Sequence, residues 1–94
     1  MARRIVVSER SLKQTDLGSF LPQILQSLGR RIVKLRRTRG FSQESFAEEC
    51  GLHRTAMGLL ERGKSIPRLD TLLLISRGLG ITLSRFFSGV GGPR

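Results

Sequence analysis

The sequence predicts an all-α fold, a compact bundle of about five short helices preceded by a basic N-terminal arm. Two observations support this fold class. Apolar residues recur three and four positions apart along most of the chain, and glycines or prolines interrupt that period at short intervals. A chain of 94 residues is expected to form one domain. We therefore assign an arm to residues 1–21, a helical domain to residues 22–88 and a flexible tail to residues 89–94; within the arm, residues 5–7 could form a short strand.

The first predicted helix begins at Pro22, because proline suits the first turn of a helix, and ends before Gly40. Its expected apolar face consists of Leu25, Leu28, Ile32 and Leu35. These spacings of three, four and three residues are typical of an amphipathic helix with one wet face.

Four shorter helices are predicted after Gly40. The second begins after Ser42, although a serine stands where a full capping box would have a glutamate, which predicts a weaker cap. The third covers residues 53–62. The last two begin near Pro67 and after Thr82, and glycines end most of these segments.

The charge of the chain favours a polyanionic partner. Lysine and arginine number 17 against 7 acidic residues, which gives a net charge of +10. Residues 1–40 contain ten of the bases and two acids, and residues 30–39, the basic cluster, contain six bases. The longest apolar run, residues 72–75, is far below the roughly 18 residues that span a bilayer. We expect no membrane partner and a cytoplasmic, nucleoid-associated protein.

Few residues are available for catalysis or metal binding. A single cysteine, Cys50, cannot form an internal disulfide, and a buried inert thiol is favoured there over a redox sensor. A lone histidine, His53, cannot make a metal site. Neither a Ser-His-Asp set nor a phosphate-binding loop is present, so we expect no enzyme activity and no cofactor.

Residues 41–63, FSQESFAEECGLHRTAMGLLERG, have the layout of a helix-turn-helix. Two short helices are joined by a tight turn at residues 50–52, and the small Ala47 lies where the helices must approach each other. In this layout the second helix can enter a DNA major groove, which is about 12 Å wide.

The same segment is part of a longer pattern that extends over about two-thirds of the chain. Its elements are Leu28…Ile32…Leu35-Arg36, Ser42-Gln43-Glu44, Ala47, Gly51-Leu52, Glu61-Arg62-Gly63-Lys64, Pro67, Leu72…Ile75…Leu79-Gly80 and Leu83…Phe86-Phe87. This pattern resembles the lambda-repressor-like, Xre-type helix-turn-helix domain of phage repressors and small bacterial regulators. The resemblance implies a sequence-specific transcriptional regulator, which we expect to be a repressor.

The resemblance implies that exposed positions of the third helix read DNA bases. The matching residues are Arg54, Thr55 and Leu59. Arg54 can pair with the edge of a guanine, or else contact a phosphate or remain solvated. Leu59 either touches a thymine methyl group or is simply exposed. Gly58 stands where the family usually has a polar residue, and it has no side chain to read a base.

Phosphate contacts are implied on both sides of that helix. The residues are Gln43, His53, Arg62, Lys64 and Arg68. Gln43 matches the family's phosphate-binding glutamine at the start of the second helix, where backbone N–H groups also favour an anion. Arg62, Lys64 and Arg68 could equally be solvated, and His53 could reach a phosphate or a base or serve only as a cap. Arg36 and Glu61 match a family pair that joins the first helix to the third, and we expect a structural ion pair.

A second copy of the chain is also an expected partner. Apolar residues near the C-terminal end, Leu74, Leu83 and Phe87, are candidates for a homodimer interface. A two-fold dimer predicts a pseudo-palindromic operator with half-sites about 10 bp apart, or a multiple of that spacing. The arm could follow the DNA backbone or minor groove, could pair as a strand with a protein, or could have no role.

Two alternative functions remain compatible with the sequence. The protein could be the antitoxin of a toxin–antitoxin pair, with the arm or the apolar C-terminal part binding a toxin. It could also be a restriction–modification controller, a function that its size fits.

Overall fold

The computed structural model describes residues 17–91, and this part of the chain forms five α-helices. They are α1 (Leu17–Thr38), α2 (Gln43–Cys50), α3 (Arg54–Glu61), α4 (Leu69–Leu79) and α5 (Leu83–Phe87). No strand occurs between residues 17 and 91. The predicted all-α class and helix order are confirmed, whereas residues 1–16, most of the expected arm, lie outside the described residues.

The first helix begins earlier than the sequence predicts. It starts at Leu17, so residues 17–21, which we assigned to the arm, are helical and Pro22 lies in the second turn. Proline costs α1 one hydrogen bond there, but the apolar spacing continues upstream, because Leu21 precedes Ile24 by three residues. Placing Pro22 in the first turn was therefore wrong.

The core contains side chains from all five helices. Its buried apolar residues are Leu28, Ile32, Phe46, Ala47, Cys50, Met57, Leu60, Leu72, Ile75, Leu79 and Phe86. Phe46 of α2 and Phe86 of α5 are the largest fully buried side chains. This core supports the two helices of the helix-turn-helix from one side and leaves their opposite side open.

The start of α2 and the turn after it are fixed by local hydrogen bonds. The Ser42 hydroxyl accepts from the Ser45 backbone N–H, and the Ser45 hydroxyl accepts from the Ser42 backbone N–H, both at 3.0 Å. The expectation of a weaker cap was wrong, since serine closes the capping box in place of glutamate. At the other end Gly51 has φ = 75°, and the Leu52 N–H donates to the Ala47 carbonyl at 2.8 Å.

Cys50 lies in the core where α2 meets α4. A side-chain carbon on Gly78 would lie 2.7 Å from its Sγ, so glycine permits this approach of the two helices. Burial, aided by the negative charge of Glu49, raises the pKa of the Cys50 thiol to about 11, while Arg77 opposes the shift. The thiol is therefore protonated at neutral pH, which favours the prediction of an inert core residue.

Candidate nucleic-acid interface

A buried ion pair joins α1 to the end of α3. Arg36 donates from Nε to Glu61 Oε2 at 2.6 Å and from Nη2 to Glu61 Oε1 at 2.9 Å, the forked geometry that arginine favours. The two side chains are only 8% and 4% exposed. Gln43, the first residue of α2, also donates to Glu61 Oε1 at 2.9 Å. The predicted pair is thus present, and it connects the first turn of α2 to α1 and α3.

Two glycines bring the C-terminal end of α3 directly against α1. A side-chain carbon on Gly29 would meet the backbone carbonyl oxygens of Glu61 and Leu60, the latter at 2.7 Å. A carbon on Gly63, which has φ = 70°, would lie 2.9 Å from the Gln26 side chain. The C-terminal end of α3 therefore contacts the α1 backbone directly. The cap and first residues of α3, residues 53–56, are exposed, and we call them the projecting end.

The projecting end of α3 exposes three polar side chains, His53, Arg54 and Thr55. His53 Nδ1 accepts from the Thr55 backbone N–H at 3.1 Å, so the histidine is a true N-cap. Because Nδ1 accepts, the neutral ring carries its proton on Nε2, where it can donate. Arg54 Nη1 lies 3.3 Å from Glu44 Oε1 across the turn. Sequence reasoning missed this pair, since the two residues are ten positions apart on different helices.

The remaining base-reading candidate differs from this pattern. Leu59 is half-buried and lines a concavity of about 240 Å³ together with Ile66 and Pro67. Gly58 is buried, and a side-chain carbon there would lie 3.2 Å from Arg62 Nη1 and 3.5 Å from Gln43 Oε1. Glycine at this position therefore leaves room for two polar side chains over the middle of α3.

The candidate phosphate ligands surround α3 but differ in what they bind. Gln43 is held by Glu61, as described above, whereas Arg62 and Lys64 are exposed after the end of α3. Arg68 is also exposed, and its Nε lies 3.2 Å from Asp70 Oδ1. The structure thus places these residues at the N-terminus of α2 and in the segment between α3 and α4, and the side chains of Gln43 and Arg62 both lie over Gly58 of α3.

The expected dimer residues have unequal exposure. Phe87 is 39% exposed, while Leu74 is half-buried and Leu83 packs against the core. Leu69 and Leu73 of α4, four residues apart and therefore on one face of the helix, are more exposed than Phe87. The sequence did not single out these two leucines as interface candidates, because closely spaced apolar residues do not show which of them face the core.

The described residues show neither a membrane-spanning helix nor a metal-binding group. No helix between residues 17 and 91 is long and apolar enough to cross a membrane. In the same range no group of three metal-ligating side chains comes together.

The chain is similar in sequence and in structure to DNA-binding regulators. The Control protein C.MunI of Mycoplasma sp. is 46% identical over 63 residues, which cover 66% of this chain and 85% of that protein. The HTH-type transcriptional regulator PuuR of Escherichia coli is 37% identical over 60 residues, 64% of this chain, but the match spans only 32% of PuuR. The crystal structure of the restriction-modification controller protein C.AhdI from Aeromonas hydrophila superposes with a TM-score of 0.65 at 35% identity, covering 67% of this chain and 96% of that one.

A family model provides the assignment. The helix-turn-helix family HTH_3 matches residues 32–86, more than half of the chain, and this range contains α2, α3, α4 and most of α5. The predicted resemblance is confirmed: the chain belongs to the lambda-repressor-like, Xre-type helix-turn-helix family of transcriptional regulators.

Proposed function

We propose that the protein regulates transcription by binding a specific DNA sequence, and that α3 is the helix that reads it. The observation that supports this most directly is the contrast between the two ends of α3. Its C-terminal end is fixed by the buried Arg36–Glu61 pair and by the close approach at Gly29, whereas its N-terminal end exposes Arg54. A rigid base with a projecting polar end suits insertion into a major groove.

Each side chain has a separate role in this proposal. Arg54 binds the edge of a guanine and Thr55 contacts a neighbouring base, once DNA displaces the exposed contact of Arg54 with Glu44. Gln43, His53 and Lys64 bind phosphates, which fix the register without reading sequence. Leu59 is a weaker candidate for base contact, because part of its side chain is buried. A protein with this function is expected to be associated with the nucleoid.

We also propose that the protein binds DNA as a homodimer, using apolar surface near its C-terminal end. Phe87 and Leu73 support this, being large apolar side chains that are 39% and 49% exposed. A two-fold dimer would place two α3 helices one helical turn of DNA apart and read a pseudo-palindrome. Leu74 and Leu83 are partly buried, so they would pack beneath Phe87 and Leu73 and would not contact the partner subunit themselves.

Among regulators, a restriction–modification controller is the alternative with a specific observation in its favour. The match covers 85% of C.MunI and 96% of C.AhdI, so it extends over nearly the whole of two control proteins, whereas it covers 32% of PuuR. The toxin-binding alternative depends on the arm or the apolar C-terminal part and has no comparable support.

Paired substitutions test the proposed role of α3. On a DNA site selected by the wild-type protein, Arg54→Ala is expected to cost about 1–3 kcal/mol of binding and to relax specificity at one base pair. Lys64→Ala is the matched control: it removes one exposed charge and should weaken binding to selected and scrambled DNA alike. Equal losses on both duplexes for Arg54→Ala would refute base reading by this residue.

A further inference from the structure

The six bases of the basic cluster fall into two groups. Three of them bind oxygens of other helices: Arg31 donates to two carbonyls at the end of α5 at 2.9 and 3.0 Å, Arg36 binds Glu61, and Arg39 donates to the carbonyl of Leu79 at the end of α4. Carbonyls at helix C-termini lack partners within the helix, so Arg31 and Arg39 act as caps. Half of the cluster therefore stabilises the fold.

The other three bases form one line on the surface of α1. Arg30, Lys34 and Arg37 are spaced by four and three residues, which places them on the same face of the helix, and we call them the α1 stripe. They line an open groove of about 470 Å³. The other residues of the groove are Val33, Thr38 and Glu61.

The α1 stripe is not neutralised by the described part of the chain. The three ion pairs found between residues 17 and 91 involve other bases. Among residues 17–91, Glu61 is the only acid that lines the groove, and its carboxylate already accepts from Arg36 and Gln43. Three positive charges thus face an open groove to which the described residues contribute no free carboxylate, and this arrangement attracts an anion.

The position of the groove identifies the anion. Glu61 is both a wall of the groove and the acceptor for Gln43, the residue proposed to bind a phosphate, so the groove is continuous with the proposed DNA surface. From Arg30 to Arg37 the helix rises by about 10 Å, at 1.5 Å per residue. Along the duplex axis one DNA strand adds a phosphate about every 3.4 Å, so a stripe that runs along the axis spans about three phosphates.

We propose that the α1 stripe binds the phosphate backbone of the DNA, beside the base pairs that α3 contacts, and so extends the footprint along the same duplex. The inference rests on the proposed function, because it takes duplex DNA as the ligand. The contact is independent of sequence: it raises the affinity for all duplexes and steepens the dependence on salt.

The salt dependence of binding by the full chain tests this proposal. The double variant Arg30→Gln/Lys34→Gln removes two bases of the stripe from the middle of a helix, where glutamine is well tolerated. The control, Arg77→Gln/Arg85→Gln, removes two exposed bases of α4 and α5 that lie outside the groove and form no ion pair among residues 17–91. Both variants lower the net charge by two. Dissociation constants are measured across salt on the selected site and on a scrambled duplex, with thermal unfolding checked for each variant.

The expected result is a difference between the two variants. Each protomer loses two phosphate contacts and the bound dimer therefore loses four, which reduces the slope of log K against log salt by about 3.6 and weakens binding about 4,000-fold at 0.1 M salt, on both duplexes. The control keeps the wild-type slope. Equal slopes for the two variants overturn the proposal, because the α1 stripe would then contact DNA no more than the control residues do. The stripe would in that case be available to bind an acidic protein. A wild-type protein that does not prefer its selected site refutes the proposed function, whereas the slopes on scrambled DNA still test the stripe.

Discussion

Replacing Glu61 with glutamine tests whether the buried ion pair holds α3 in place. The Arg36 side chain is 8% exposed, so Glu61→Gln leaves a buried guanidinium without a charged partner. Breaking a buried pair from one side costs about 3–5 kcal/mol of unfolding free energy. We expect about 3 kcal/mol, the low end of that range, because the glutamine oxygen can still accept one hydrogen bond.

This loss is large compared with the stability of so small a domain. Residues 17–91 number 75, and a domain of that size has about 4–11 kcal/mol of unfolding free energy. Urea unfolding followed by circular dichroism measures the change: with a slope of about 1 kcal/mol per molar urea, the midpoint falls by about 3 M.

A second variant separates the charge from the packing. Arg36→Met/Glu61→Leu removes both charges and keeps an apolar volume, so its stability should be near that of the wild type. A fall in unfolding free energy of less than about 1 kcal/mol for Glu61→Gln would show that the pair does not hold α3 in place, because it would then behave like a surface ion pair.

Three further predictions follow from individual contacts. Gly29→Ala should lower the unfolding free energy by about 1–3 kcal/mol, because the new carbon meets backbone oxygens of α3. The control Gly18→Ala, on the same helix with no described atom within 4 Å of the new carbon, should be neutral or stabilising. A Gly29→Ala variant as stable as the wild type refutes the close approach. At pH 8 a thiol with a pKa of about 11 has an ionised fraction about 100-fold below that of an ordinary thiol with a pKa of 9.0. Iodoacetamide should therefore modify Cys50 at least about 100-fold more slowly in the native protein than in urea. Comparable rates in the two conditions would contradict the burial of Cys50. Glu44→Gln should strengthen binding to any duplex at low salt, since it removes a carboxylate from beside Arg54; weaker binding to the selected site alone would show that Glu44 positions Arg54 instead.

The helix order could be predicted from the sequence because local signals agree with the tertiary structure. The turn at Gly51 and the cap at Ser42 are encoded within a few residues, and the structure has both. The start of α1 could not be placed, because the proline at position 22 is a strong local signal that the continuing apolar face overrides.

The candidate site was predictable only where the resemblance supplied a long-range contact. Arg36 and Glu61 are 25 positions apart, and no local pattern joins them, but the family pairs these positions. By contrast, the division of the basic cluster into caps and the α1 stripe could not be predicted. It depends on where the ends of α4 and α5 meet Arg39 and Arg31, which only the packed structure defines.

The ratio of two dissociation constants tests most directly whether α3 reads a DNA sequence. Sites are first selected from randomised duplexes with purified protein, and the affinities for the selected site and for a scrambled duplex are then compared at one salt concentration. We expect a pseudo-palindromic site that is bound about 10³-fold or more tightly than the scrambled duplex. Equal affinities with a steep dependence on salt would contradict it, because the binding would then come from phosphate contacts alone.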